Sequence, residues 1–351
     1  MSTGPRPRTH VLITGGAGFI GSHLAEACLG AGHRVTVIDD LSTGSRQNVE
    51  HLMSDAGFRL VVDSIANASA LVPLVEACDT VVHLAAAVGV DLIVRDPVRV
   101  IECNVIGTQA VLKAAVLHGR KVLVASSSEV YGKGAGAPFA EDDDRLLGPT
   151  TKSRWCYSTS KAAGEYLALA YHRQQGLPVV VMRFFNTVGP RQTGRYGMVV
   201  PRLVAQALAG EPLTVYGDGR QSRCFCDVSD VVRAILALAA CPAAVGQVLN
   251  VGATEEVTIL ELARRVLALV GGAPAAADAG GLLARGLIRL VPFESAYESG
   301  FEDMLRRVPD IRRITRLAGW TPALPLDETL RRVVTWLRQA QRVPAPPAEV
   351  G

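Results

Sequence analysis

Short runs of β-branched and other apolar residues alternate along the chain with longer segments whose apolar positions recur at helical spacing. The runs His10–Thr14, Arg34–Asp39, Phe58–Val62, Thr80–Leu84, Lys121–Ser126 and Pro178–Phe184 predict strands. Between them, Ile20–Gly30, Val98–His118 and Tyr157–Gln175 predict helices. Strands that are apolar throughout are buried on both faces. Their alternation with helices therefore predicts an α/β fold, a doubly wound parallel sheet covered on both sides.

After about Asn186 the rhythm loosens. A helix is predicted at Met198–Ala209, strands at Leu213–Tyr216 and Arg223–Asp227, a helix at Val231–Ala239, a strand at Gln247–Val251 and a helix at Ile259–Val270. This reads as a first unit, residues 10–186, and a smaller C-terminal substrate lobe, residues 187–340, interleaved with the end of the sheet. Residues 1–9 and 343–351 read as flexible tails, and the Gly/Ala-rich stretch Gly271–Gly281 as a flexible loop. No internal repeat is visible.

Composition narrows the class. With 351 residues, 49% hydrophobic, the chain can bury a core in one large unit with a lobe. Lys and Arg number 36 against 33 Asp and Glu, a net charge of +3, so no polycationic surface argues for a nucleic acid. Mean hydropathy is slightly positive, +0.24. The longest apolar stretch read from the sequence, Ala234–Gly246, is broken by Pro242 and too short to cross a membrane. Arg6 and Arg8 are not followed by a signal-peptide core. The expectation is a cytoplasmic protein with neither a membrane nor a nucleic-acid partner. Seven scattered cysteines fit reduced thiols. Cys224 and Cys226 would share one face of a strand, but nothing completes a zinc site, and no metal is expected.

Candidate chemistry begins at Thr14–Gly21, TGGAGFIG, between the first strand and the first helix. Gly15, Gly18 and Gly21 permit a tight turn and a close backbone approach, so amides at the helix N-terminus can hold a pyrophosphate. A tight strand-to-helix turn alone would also use glycine. Asp39, eighteen residues beyond Gly21 at the end of the second strand, decides between the readings. A carboxylate there accepts from ribose hydroxyls and favours NAD over NADP. Asp63, ending the third strand, suits an adenine amine or a turn cap equally. Tyr157 and Lys161 stand at i and i+4 on one helix, where an ammonium can bring a phenol towards neutrality as a general base. The strand end Ser126–Gly132, SSSEVYG, adds hydroxyls for a reacting sugar oxygen and the carboxylate of Glu129. Strand-end capping and a solvated loop acid are the plainer readings of those residues.

TGGAGFIG, the HLAA of His83–Ala86, SSSEVYG, Tyr157 with Lys161, and RFFNTVGPR (Arg183–Arg191) together resemble the extended short-chain dehydrogenase/reductase superfamily. These are NAD-dependent epimerases, dehydratases and decarboxylases of nucleotide-activated sugars, and the resemblance runs from about His10 to Val334. It implies a Rossmann domain, a sugar-nucleotide lobe, and a homodimer paired through helices 98–118 and 157–175. It also extends the NAD cradle to Phe19, Ile20, Asp40, Ser42, Thr43, Gly44, Ser64, Leu84, Ala85, Ala86, Asn104, Ser126 and Phe184. The catalytic set becomes Ser127, Ser128, Glu129, Tyr157, Lys161 and Arg223. The UDP-sugar site becomes Asn186, Val200, Arg202, Leu213, Thr214, Val215, Arg223 and Arg307.

The Ser128-Glu129 pair resembles UDP-glucuronate decarboxylases (UDP-xylose synthases). Galactose-type 4-epimerases usually carry a small residue or serine in place of the glutamate, and 4,6-dehydratases an Asp-Glu pair. Arg223, in LTVYGDGRQSRCFCD, aligns with an arginine facing the substrate, and Arg307, in RRVPD, with one contacting the diphosphate. Ser127 in place of threonine, Val308 in place of lysine, and the divergent segment Gly271–Tyr297 depart from the pattern. The resemblance implies a UDP-glucuronate decarboxylase first, then a UDP-sugar 4-epimerase, with a 4,6-dehydratase or a non-catalytic NAD-binding regulator behind them.

Overall fold

Six strands form where the apolar runs lie: β1 (His10–Thr14), β2 (Arg34–Asp39), β3 (Phe58–Val62), β4 (Thr80–His83), β5 (Lys121–Ser127) and β6 (Val179–Phe184). The computed structural model describes residues 8–134, 136, 138–194, 197–274, 276–296 and 304–342. Of the expected tails only residues 8 and 9 fall among these, and Tyr297 lies outside the described residues. A seventh strand, Val248–Val251, pairs with β6. All seven are parallel, in the order seventh, β6, β5, β4, β1, β2, β3. The order reverses between β1 and β4, so the loops leaving those strands part and open a crevice at the C-terminal edge of the sheet.

Successive residues of each strand face opposite layers. Val11, Ile13, Val35 and Val37 pack under helix α1 (Phe19–Gly30) and helix Val228–Ala239. Leu12, Ile38, Val81 and Val122 pack under helices Ala68–Ala77, Thr108–His118 and Cys156–Gln175. The chain returns to this sheet after residue 186. Cys226, Val228, Val251, Ile314 and Trp320 lie in the same apolar cluster as β1 and β2. The lobe has its own core, which includes Val200, Leu203, Leu213, Val215, Leu262 and Leu330.

Several elements depart from the pattern reading. Helix Ala68–Ala77, capped by Asn67, and the C-terminal helix Leu326–Arg342 are not among the predicted elements. The predicted helix Val98–His118 is three pieces: Pro97–Ile101, a π-helical turn Glu102–Gly107, and Thr108–His118. By length and composition alone Pro97–His118 is the one helix among the described residues that could cross a membrane. Here its Val100, Val111, Leu112 and Ala115 are buried against the rest of the fold. The predicted strand Arg223–Asp227 breaks at Phe225. Ser222–Cys224 pairs with Glu256–Thr258 and Arg306–Arg307, whereas Cys226–Asp227 pairs with Thr187–Val188. Cys224 and Cys226 therefore lie in different sheets rather than on one face. Asp227 accepts from Ser229 N at 2.8 Å and starts its helix at Val228, three residues early. Asp278 caps a helix at Ala279–Ala284, which shortens the expected loop Gly271–Gly281.

Candidate active site

A cleft of about 1250 Å³ runs along the crevice, between the sheet and the lobe. At its floor the chain turns from β1 into α1. Gly15 has φ +70°, and a Cβ there would stand 2.7 Å from Ala85 N; one on Gly21 would stand 2.4 Å from the Gly15 carbonyl oxygen. Both positions exclude any side chain, which lets the two backbones touch. The first N–H groups of α1 have no intrahelical acceptor and open on the cleft, where Gly15, Gly18, Phe19, Ile20 and Gly21 form the wall.

Asp39 is buried at the end of β2, accepting from Ala17 N and Leu41 N, each at 2.9 Å. Burial pushes its carboxyl up while these amides oppose the shift. Each oxygen keeps a lone pair for a ribose hydroxyl. Asp40, Ser42, Thr43, Gly44, Asp63, Ser64, Leu84, Ala85, Ala86, Ser126 and Phe184 complete the wall at this end. This glycine cradle and acidic strand end fit NAD. Asn104 does not line the cleft. Buried in the π-helical turn, it accepts from Ala87 N at 2.9 Å and donates to Ala87 O and Ser160 Oγ. It holds the segment after β4 from behind.

Tyr157, Lys161, Ser127, Ser128 and Glu129 meet on the wall at the end of β5. The phenol of Tyr157 is pushed above its ordinary value, by burial first and then by the Glu129 carboxylate; a hydrogen bond with Ser127, then Arg307 and Arg154, oppose the shift. The expected drop towards neutrality is absent because Lys161, although on the same helix face, reaches back to donate to Ala125 O at 3.0 Å. Its own ammonium is pushed down to about 8 by burial. The hydroxyl that meets Tyr157 is that of Ser127, not Ser128.

Glu129 accepts from Arg307 Nη1 at 2.6 Å and pairs with Arg154 Nη1 at 2.5 Å. Burial alone would raise its carboxyl, but Arg154 and Arg307 hold it down at about 2. Arg307 also donates to Asn186 Oδ1. Asn186 has φ +34° and is fixed by donating to Cys224 O at 2.8 Å. Arg307 thus lines the cleft beside Glu129 and Asn186.

On the lobe side, Arg223 lines the cleft and donates to Ser222 O at 2.8 Å. Arg202 lines it too, donating to Thr214 O at 2.6 Å with its guanidinium 4.5 Å from the Tyr216 ring centroid. Val200, Leu213, Thr214 and Val215 are not on the wall. Val200, on the helix Val199–Leu208, and Leu213 and Val215, the alternate inward-facing residues of the strand Leu213–Tyr216, are fully buried lobe core. The Thr214 hydroxyl is taken up by Gln206 and Arg202.

Sequence reasoning missed other wall residues, among them Arg154, Arg191, Gln221, Phe293 and Trp336. Arg154 stands three residues before Tyr157, a spacing that could have flagged it. Arg191 lies inside the quoted RFFNTVGPR. It has φ +67° and is fixed by Glu26 at 2.9 and 3.0 Å. Phe293 and Trp336 give no local signal; only the fold brings them to the cleft.

The model of the NAD dependent epimerase/dehydratase family matches residues 11–252. A UDP-N-acetyl-alpha-D-glucosaminuronate decarboxylase of Bacillus cytotoxicus is 40% identical over 94% of this chain and 98% of its own length. UDP-glucuronic acid decarboxylase 1 of Xenopus tropicalis is 37% identical over 95% of this chain and 73% of its own. Among solved structures, UDP-glucuronic acid 4-epimerase of Bacillus cereus in complex with UDP-glucuronic acid and NAD superposes with a TM-score of 0.82. It is 28% identical, with 94% of this chain and 99% of that one covered.

Proposed function

The chain belongs to the NAD-dependent epimerase/dehydratase family, and from that premise we propose that it decarboxylates UDP-glucuronate through a UDP-4-keto intermediate. The product is UDP-xylose or a UDP-4-keto-pentose. One observation carries the reading: beside the Tyr157 hydroxyl a partly buried carboxylate, Glu129, is held by Arg307. Moving a hydride at C4 needs no such cluster. A cation-lined seat at C5 suits a substrate that brings a carboxylate.

NAD, when bound, supplies the acceptor for the C4 hydrogen and returns it. The chain's own residues do the rest. Tyr157 takes the proton of the C4 hydroxyl, with Ser127 sharing the same oxygen. The resulting 4-ketone is β to the C5 carboxylate. Its C–C bond breaks, carbon dioxide leaves, and the electron pair becomes an enolate whose oxygen faces Tyr157 and Ser127. Arg223, with Asn186, holds the sugar nucleotide across the cleft, and Glu129 and Arg307 fix C5 while the enolate returns to the ketone and C5 takes a proton from water.

The Bacillus cytotoxicus relative supports a second substrate, the 2-acetamido counterpart UDP-N-acetylglucosaminuronate. Incubating NAD-loaded protein with each uronate and weighing the product by mass spectrometry tests the reading. Loss of carbon dioxide from either supports it. UDP-galacturonate without mass loss overturns it in favour of a 4-epimerase, and bound NAD with no turnover favours a regulator.

We also infer a homodimer through helices 98–118 and 157–175, whose Val98, Ile101, Ile106 and Tyr166 are exposed. The cytoplasm is its proposed compartment, in keeping with seven unpaired cysteines.

A further inference from the structure

Two turns along the helix from the reacting tyrosine lies a buried ion pair that the proposed chemistry does not use. Tyr157, Lys161 and Glu165 recur every four residues on the helix Cys156–Gln175 and so share one face. Glu165 is buried, at 5% exposure. Its Oε1 accepts from Ser126 Oγ at 2.5 Å and from Arg183 Nε at 2.9 Å, and its Oε2 from Arg183 Nη2 at 2.7 Å. Ser126 on β5 and Arg183 on β6 are partners in the parallel ladder, so one carboxylate ties both strand ends to the helix. One turn earlier, Lys161 donates to Ala125 O, the preceding residue of β5. Arg183 is itself fixed by donating to Glu141 O at 2.9 Å, with its guanidinium 4.8 Å from the Tyr131 ring centroid.

Well-packed apolar side chains join elements as firmly as a buried ion pair does, because the two charges must first give up their water. What they cannot supply is a fixed negative charge near Lys161 and an acceptor for Ser126, the residue before the Ser127 that meets Tyr157. Near the Lys161 ammonium lie Cys103 on the π-helical turn, Glu165 on its own helix and His83 at the end of β4. Burial pushes the ammonium down, and Cys103 and Glu165 oppose the shift. We propose that Glu165 is the positioning residue of this site. It sets the end of β5 against the helix so that Ser127 and Tyr157 meet, and its charge holds the Lys161 ammonium at the cleft wall. The inference rests on the reading that Tyr157 is the base of the reaction. It assigns a role to a residue outside the Ser-Glu and Tyr-Lys motifs.

Two measurements on the full-length, NAD-loaded protein test it: steady-state turnover of UDP-glucuronate, counted as substrate consumed, and titration of the Lys161 amine followed by NMR of its side-chain nitrogen. Glu165→Gln keeps the shape, removes the charge and leaves Arg183 unbalanced. It is expected to lower kcat about tenfold or more with KM within about threefold of the wild type. It should also lower the Lys161 midpoint, about 8 in the wild type, by about one pH unit or more. Glu165→Asp, which keeps a carboxylate on the same turn, should hold that midpoint within about half a pH unit. A merely structural role would lower Tm and leave the midpoint where it was. In Glu165→Gln an unmoved midpoint, or kcat within about threefold of the wild type, overturns the proposal. Should that variant fail to fold, Ser126→Ala decides. It cuts the tie to β5 alone and should lower kcat about threefold or more with NAD content and the Lys161 midpoint unchanged; wild-type kcat there overturns the proposal. Carbon dioxide is assayed separately, so turnover without its loss sinks the decarboxylase reading and leaves this test intact. If no UDP-glucuronate is consumed, the Lys161 midpoint decides alone.

Discussion

Replacing Lys161 with methionine separates what its ammonium does for the reaction from what burying that ammonium costs the fold. Burial pushes the amine down from 10.5 to about 8, with Cys103 and Glu165 opposing the shift. At about 1.4 kcal/mol per unit, carrying the charge into the folded protein costs about 3 kcal/mol. The folded state binds the proton more weakly than the unfolded chain does. The penalty is therefore complete below about pH 8 and fades as pH rises from there to 10.5. Methionine fills nearly the same space without the charge. It forfeits the 3.0 Å bond to Ala125 O, and a buried carbonyl left unsatisfied costs about 1–2 kcal/mol. The NAD-free variant should then be more stable than the wild type by about 1–2 kcal/mol at pH 7, with turnover lost. Urea unfolding followed by circular dichroism at pH 7 and pH 10 measures the difference. A variant less stable at pH 7, or a gap that does not shrink at pH 10, refutes the reasoning.

Gly21→Ala forces a methyl to within 2.4 Å of the Gly15 carbonyl. It should cost about 1–3 kcal/mol of stability and strip NAD from the purified protein, read by Tm and absorbance; full NAD content would contradict the close approach. Tyr157→Phe should keep NAD while carbon dioxide release falls about 10²- to 10⁴-fold, and wild-type turnover would remove it from the proton path. Ile101→Lys with Tyr166→Lys should convert a dimer to monomer in sedimentation, both side chains being exposed on the paired helices. An unchanged mass would place the interface elsewhere.

The parts of the fold legible in the sequence are those where one physical requirement dominates. Strands buried on both faces must be apolar throughout, so β1, β2 and β6 announce themselves. Gly15 and Gly21 are dictated by backbone contact alone. Hidden were the features that depend on a partner from afar. The break at Phe225 follows from two different sheets claiming the residues on either side. Leu213 and Val215 carry the alternation of any half-buried strand, so nothing local separates lobe core from a binding wall. Arg307 could be aligned but not placed, because its seat depends on Glu129, 178 positions earlier in the chain. Spacing i, i+4 puts Tyr157 and Lys161 on a shared face but does not fix where a lysine's flexible chain points, and here it points to Ala125 O.

The place of Val248–Val251 in the sheet has a consequence for how the protein is made. A ribosome delivers β6, Val-Val-Val-Met-Arg-Phe, long before the strand that covers its outer edge and the Trp320 that plugs the layer behind it. Until Val248 has been synthesised, the nascent chain carries a row of unpaired backbone donors and acceptors flanked by apolar side chains, open to any neighbouring strand. A pause in translation between residues 185 and 247 is the moment of greatest exposure, and a fragment ending there should be insoluble when expressed alone.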